Sequence, residues 1–266
     1  LSNKKTKEEV RKHSKEAIGQ LNNLLETYIS SNEDSTISKA DKLSYWLEDY
    51  TKFLSYEPNF KPNKLKRYKR GEIIKVHLGY NIGSEEGGLH YCVVLDKENS
   101  INNPVVTVIP LTSVKNSTDI NKLRPGSVYL GNSLYTAMFS KLGSLLSTHK
   151  QEIAVLKEEL IKLSETLKTV GMPDQQLNDI SDKINNAKNN LNKLEQEKIL
   201  INKIKKESEK MNKGSIALVS QITTISKIRI YDPKTNFDIL SKIKLSNENL
   251  DLIDAELKKL FLKNEF

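Results

Sequence analysis

The chain has 266 residues, of which 37% are hydrophobic and 29% charged, an apolar share too low for one large buried enzyme core and suited to an elongated protein with much solvated helix. Its 42 Lys and Arg against 34 Asp and Glu give a net charge of +8; no stretch approaches the roughly 18 apolar residues of a membrane span, and the opening LSNKKTKEEV lacks the basic, apolar, small-residue order of an export signal. The single cysteine, Cys92, excludes an intramolecular disulfide and a cysteine-rich zinc site, so a reducing cytoplasm is the expected compartment.

Val10, Ala17, Leu21, Leu24, Leu25 and Tyr28 fall near helical spacing, and the polar run at 30–34 breaks the pattern. A second helix is predicted from about residue 38 to 56, with Leu43, Trp46, Leu47, Tyr50 and Leu54 on its apolar face and Pro58 and Pro62 closing it. Next comes most of the excess charge: Lys64, Lys66, Arg67, Lys69 and Arg70 lie within seven residues that hold no acid. Such a run is either a solvated linker or a contact for a polyanion, with Tyr68 as a ring for base stacking.

At Gly71 the texture changes. EIIKVHLGY alternates as a strand does, the glycine-rich loop GSEEGG follows, and YCVVL and VVTVIPL read as two more strands. GSVYL at 126–130 is a fourth and GSIALVSQITTI at 214–225 a fifth. Between them, Leu134, Met138, Leu142 and Leu145 lead into Ile153, Leu156, Leu160, Leu163, Leu167 and Val170, mostly at steps of three and four. Gly171, Met172, Pro173 and Asp174 mark a turn, and a second stripe runs from Leu177 through Ile184 and Ala187 to Ile204. Two matched arms, each about 58 Å long at about 1.5 Å per residue, predict an antiparallel, coiled-coil-like hairpin that leaves and re-enters the β core at one place. Its seam needs no explanation beyond packing. A final helix follows the last strand.

With the hairpin excised, KRGEIIKVHLGYNIGSEEGGLHYCVVLD, then VIPLTS, then GSIALVSQITTISKIRI resemble the MazF/PemK family of toxin endoribonucleases over roughly residues 69–131 and 214–265. The resemblance implies an α+β fold: a small SH3-like, MazF/CcdB-like β-barrel interrupted by the helical hairpin, with N-terminal helices and a C-terminal helix. The expected domains are a helical extension at 1–63, the barrel at 64–131 and 214–266, and the inserted hairpin at 132–213. It also implies a cytoplasmic homodimer that cuts single-stranded RNA without metal or cofactor, has no membrane association, and is held inactive by a cognate antitoxin.

Cutting RNA through its own 2′-hydroxyl needs a base for that hydroxyl, an acid for the leaving oxygen and donors for the charge gathering on phosphorus. In the family the catalytic pair is an arginine in a GG-x-R-P context and a threonine ending a later strand. Thr112 in PLTS matches the threonine, with Ser113 beside it. The arginine is replaced: the chain reads Gly87, Gly88, Leu89, His90, Tyr91. Arginine is a permanent cation, whereas histidine exchanges protons near neutral pH. Two readings stay open. In one, His90 is the general acid or base, Thr112 holds a phosphate oxygen, and the amides of Gly87 and Gly88 supply donors; in the other, the barrel is catalytically weakened and serves as a protein- or RNA-binding module.

Ser84, Glu85 and Glu86 match the family loop that approaches the RNA bases, where carboxylates accept from base amino groups. Gln221 matches the family's QIRTI, with Thr223 standing where its arginine would be, and Arg70 is the last candidate RNA contact. His13, His77, His90 and His149 are scattered and show no metal-ligand spacing, so a metal-free route is the simpler expectation.

Overall fold

The computed structural model of the protein describes residues 5–168 and 173–263. The described residues up to Phe60 form one unit together with Leu78–Gly88, and Lys61–His77 forms a second with the described residues from Leu89 onward.

In the first unit, α1 (Lys7–Ile29) opens on a reciprocal cap. The Thr6 hydroxyl accepts from the Glu9 N–H, and the Glu9 carboxylate accepts from the Thr6 N–H. α2 (Asp34–Tyr56) begins four residues earlier than expected, with Asp34 in the first turn where a carboxylate complements the helix dipole. The two helices pack together. The apolar stripe predicted on α1 is only partly covered: Leu21, Leu25 and Tyr28 are half-buried, while Val10, Ala17 and Leu24 are exposed. On α2, Ala40 and Leu43 are buried, and the Trp46 ring centroid lies 5.6 Å from that of Tyr50 and 6.2 Å from that of Phe53.

The second unit runs β1 (Ile73–His77), β2 (Leu89–Val94), β3 (Val105–Ser113), β4 (Ser127–Tyr129), α3 (Ser133–Thr166), α4 (Asp174–Ser208), β5 (Ser215–Leu218), β6 (Thr223–Ser226), β7 (Ile230–Asp232) and α5 (Asn247–Phe261). Among the described residues the seven strands form one antiparallel sheet in the order β4-β5-β3-β2-β1-β7, with β6 also on β3. The single fifth strand expected at 214–225 is in fact two, parted by a 3-10 turn at Val219–Gln221. Its cause is β3, whose backbone groups need partners along nine residues: β5 serves its Leu111, Thr112 and Ser113 end and β6 its Val105 end. β7 adds a strand beyond the five expected.

Residues paired across an antiparallel ladder share a face. One face carries Ile73, Tyr91, Val93, Ile109 and Leu111; the other carries Ile74, Val76, Cys92 and Val108, and both are buried. The first face shares a core with Leu134, Met138 and Leu142 of α3, Ile201 and Ile204 of α4, and Ile253 of α5. The roots of the hairpin are therefore bonded into the sheet's own core.

Arms of 34 and 35 residues reach about 50 Å, slightly short of the expectation. The predicted seam positions within them are buried or half-buried, while Val170, Gly171 and Met172 lie outside the described residues. His149 Nδ1 contacts the Leu145 carbonyl one turn back on α3 and, across the seam, Nε2 contacts the Glu197 carboxylate, each at 2.9 Å. Burial works against the charged ring, but Glu197 and the Leu145 carbonyl outweigh it and hold the His149 pKa above its ordinary value. The folded state binds this proton more tightly, so the stabilisation is full below the unfolded pKa and disappears as pH rises through the folded one. His149→Gln should accordingly cost about 1 kcal/mol or less at about pH 5 and nothing at about pH 9, read by thermal unfolding at both. Equal losses at both would remove the ionic account. No helix among the described residues is long and apolar enough to cross a membrane.

Candidate active site

Where β2 begins and β3 ends, the second unit opens a pocket of about 390 Å³ whose lining includes His90, Thr112, Ser113, Lys75, Glu207 and Lys210. The β2–β3 ladder pairs Val94 with Val108, Val93 with Ile109 and Cys92 with Pro110. Proline cannot donate to a ladder, and the ladder stops there. Beyond that point His90 pairs with Val76 of β1 and Thr112 with Ile216 of β5. His90 Nδ1 lies 3.4 Å from the Leu111 carbonyl. A carbonyl only accepts, so at this contact Nδ1 is the donor.

Three lining residues escaped the sequence reading. Lys75 is 8% exposed on β1, paired with Tyr91 and on the same face as Ile73. Its ammonium lies 2.5 Å from a Glu207 carboxylate oxygen, 5.3 Å from the Tyr91 ring centroid and 5.7 Å from that of Tyr231. Glu207 sits in the last turn of α4, and Lys210 in the 3-10 turn Glu209–Met211 that follows. Burial, reinforced by the charges of Glu207 and Asp232, pushes the Tyr91 phenol far above its ordinary pKa. Its hydroxyl is buried beside Glu207 without a well-formed hydrogen bond. Asp232, opposite Lys75 on β7, is pushed up to about 6 by burial although the Leu240 N–H donates to it. A lysine at an inward position of an otherwise apolar strand was a usable signal for Lys75. Nothing local marks which helical turn meets the sheet, so Glu207 and Lys210 gave none.

The other candidates are distributed. Ser84, Glu85, Glu86, Gly87 and Gly88 belong to the first unit. There the Leu78 N–H donates to the Gly88 carbonyl and the Gly88 N–H to the Gly79 carbonyl, both at 2.7 Å. A Cβ on Gly87 would stand 2.8 Å from the Gly79 oxygen, and Gly88 has φ +81°, so glycine is required at both. Ser84 and Glu85 are exposed and Glu86 is half-buried; the Glu85 carboxylate accepts from the Ile82 N–H at 3.4 Å. Gln221 ends the Val219–Gln221 turn, outside the pocket lining.

The basic run is divided: Lys64, Arg67 and Lys69 are exposed, Arg70 is half-buried and Lys66 is buried. The Lys66 ammonium is buried 2.8 Å from Glu72, and Tyr68 is fully buried with its hydroxyl donating to the Pro233 carbonyl at 2.8 Å, so no ring is left for stacking. Arg70 is held by Asp254 and the Leu95 carbonyl, outside the pocket lining. Alternation explains this: Lys66 and Tyr68 turn inward while Arg67 and Lys69 stay exposed. Among the described residues no three His, Cys, Asp or Glu side chains are grouped to hold a metal.

Residues 69–187 match the family model described as PemK-like, MazF-like toxin of type II toxin-antitoxin system. Over these residues the chain is similar to that toxin family. The MazF-like match takes in β1 to β4 and α3 and stops within α4, so it contains Lys75, His90 and Thr112 while Glu207 and Lys210 fall beyond it. No curated protein matches the chain.

Proposed function

We propose that the protein is the toxin of a type II toxin–antitoxin pair and acts as an endoribonuclease on single-stranded RNA, needing no metal, as a homodimer restrained by its cognate antitoxin. The observation that carries this reading is the meeting of His90 and Thr112, from two strands, at one pocket that also holds a cation. His90 takes the proton of a ribose 2′-hydroxyl. The freed O2′ forms a bond to the adjacent phosphorus, the P–O5′ bond breaks, and the departing O5′ takes a proton from solvent. The Thr112 hydroxyl donates to a non-bridging oxygen as charge builds there. The products are a 2′,3′-cyclic phosphate and a 5′-hydroxyl.

The test is incubation of the pure protein with mixed-sequence single-stranded RNA in EDTA, beside the same sequences in 2′-deoxy form. RNA should be cut to cyclic-phosphate ends, the deoxy strands should stay intact, and Thr112→Ala should slow cutting by roughly 10²-fold without a change in melting temperature. Intact RNA, or cutting of the deoxy strands, would sink the proposal.

A further inference from the structure

Phosphoryl chemistry gathers negative charge on phosphorus, and a site in which histidine replaces the family's guanidinium needs a permanent cation from elsewhere. We infer that Lys75 is the phosphate-binding cation of this pocket and that Glu207 is the counter-ion the RNA phosphate displaces, so that the base of the helical hairpin forms part of the active site. This deepens the reading of the pocket as an RNA-cleaving site and rests on it.

Four observations converge. Lys75 stands on a strand whose neighbours Ile73, Ile74 and Val76 are fully buried, a position where an unneeded ammonium would be replaced by an apolar side chain at little cost. The Tyr91 and Tyr231 rings flank the ammonium and keep it in place when its carboxylate leaves. The two partners are unequally held: the Lys75 side chain is 10% exposed and that of Glu207 30%, so Glu207 can swing toward water while Lys75 stays. Once it has swung out, the lining presents Lys75 and Lys210, and the buried Tyr91 hydroxyl is a donor that has lost its carboxylate neighbour. Two cations and a buried donor lining one pocket suit a phosphodiester.

A purely structural pair stapling α4 to β1 makes a different prediction, because removing the carboxylate would then weaken the site. The experiment titrates the full chain into a fluorescent mixed-sequence 2′-O-methyl oligoribonucleotide, which cannot be cut, at several salt concentrations, with RNA cleavage followed in parallel. Lys75→Met should bind about tenfold or more weakly, with the salt slope reduced by about one, while Lys75→Arg keeps binding within about threefold. Glu207→Gln should bind about three- to tenfold more tightly at low salt, because a like charge has left the phosphate site.

Unchanged binding by Lys75→Met, or weaker binding by Glu207→Gln, overturns the inference. Should Lys75→Met fail to fold, the sign of the Glu207→Gln effect decides. If wild type cuts RNA and Lys75→Met cuts and binds equally well, the inference falls and the nuclease reading stands. Should binding follow the expected pattern without any cutting by wild type, the phosphate site stands and the nuclease reading falls. Wild type that binds no oligonucleotide overturns both.

Discussion

His90→Ala is expected to slow RNA cleavage by about 10²- to 10⁴-fold, the usual worth of a positioned proton-transfer group, with little change in affinity for uncut RNA. The ring's contact with the Leu111 carbonyl is long, at 3.4 Å, and a melting temperature measured beside the rate separates lost chemistry from lost stability. Two companions sharpen the result. His90→Gln keeps a donor but exchanges no proton, and should be as slow as the alanine variant. His90→Arg restores the family's permanent cation and gives up proton exchange; if it cut as fast as wild type, the role of His90 would be charge and not proton transfer. Added imidazole should partly rescue His90→Ala and leave Thr112→Ala unmoved.

Glu72→Ala is expected to destabilise the second unit by about 3 kcal/mol, measured as a lower midpoint of urea unfolding. The Lys66 and Glu72 side chains are only 3% and 13% exposed, and the same Glu72 oxygen also accepts from the Lys69 N–H at 3.0 Å. Alanine leaves the Lys66 ammonium buried near the Tyr68 ring without its carboxylate, and an unpaired buried charge is far costlier than a lost surface pair. Replacing both partners by apolar residues, Lys66→Met with Glu72→Leu, should recover most of the loss. A deficit under about 1 kcal/mol for Glu72→Ala would mean that the pair is solvated in solution and that the run is open to RNA after all.

Much of the architecture was legible because it is written in short-range periodicity. Alternation at 72–80 and the apolar runs near 91 and 105 gave β1, β2 and β3 nearly to the residue, and the steps of three and four gave both arms of the hairpin. What failed did so for identifiable reasons. Residues 214–225 read as one strand because the break lies in what β3 requires of its partners, not in any proline or glycine at Val219–Gln221. Composition counts charge and not burial, so within the basic run it could not tell Lys66, sealed against Glu72, from the exposed Lys64, Arg67 and Lys69.

Motif order led to His90 and Thr112, and the antiparallel course of β2 and β3 brings them to one pocket over a separation that loop length alone cannot fix. The missing cation was a tertiary decision. Lys75 and Glu207 lie 132 residues apart and meet because Ile201 and Ile204 seat the end of α4 in the core that contains Ile73 and Tyr91. Local patterns of apolar residues suffice to name a strand or a helix, since sterics and burial act within a few residues. Which turn of a helix arrives over which strand depends on side-chain packing summed across the whole core, and no segment carries that information alone.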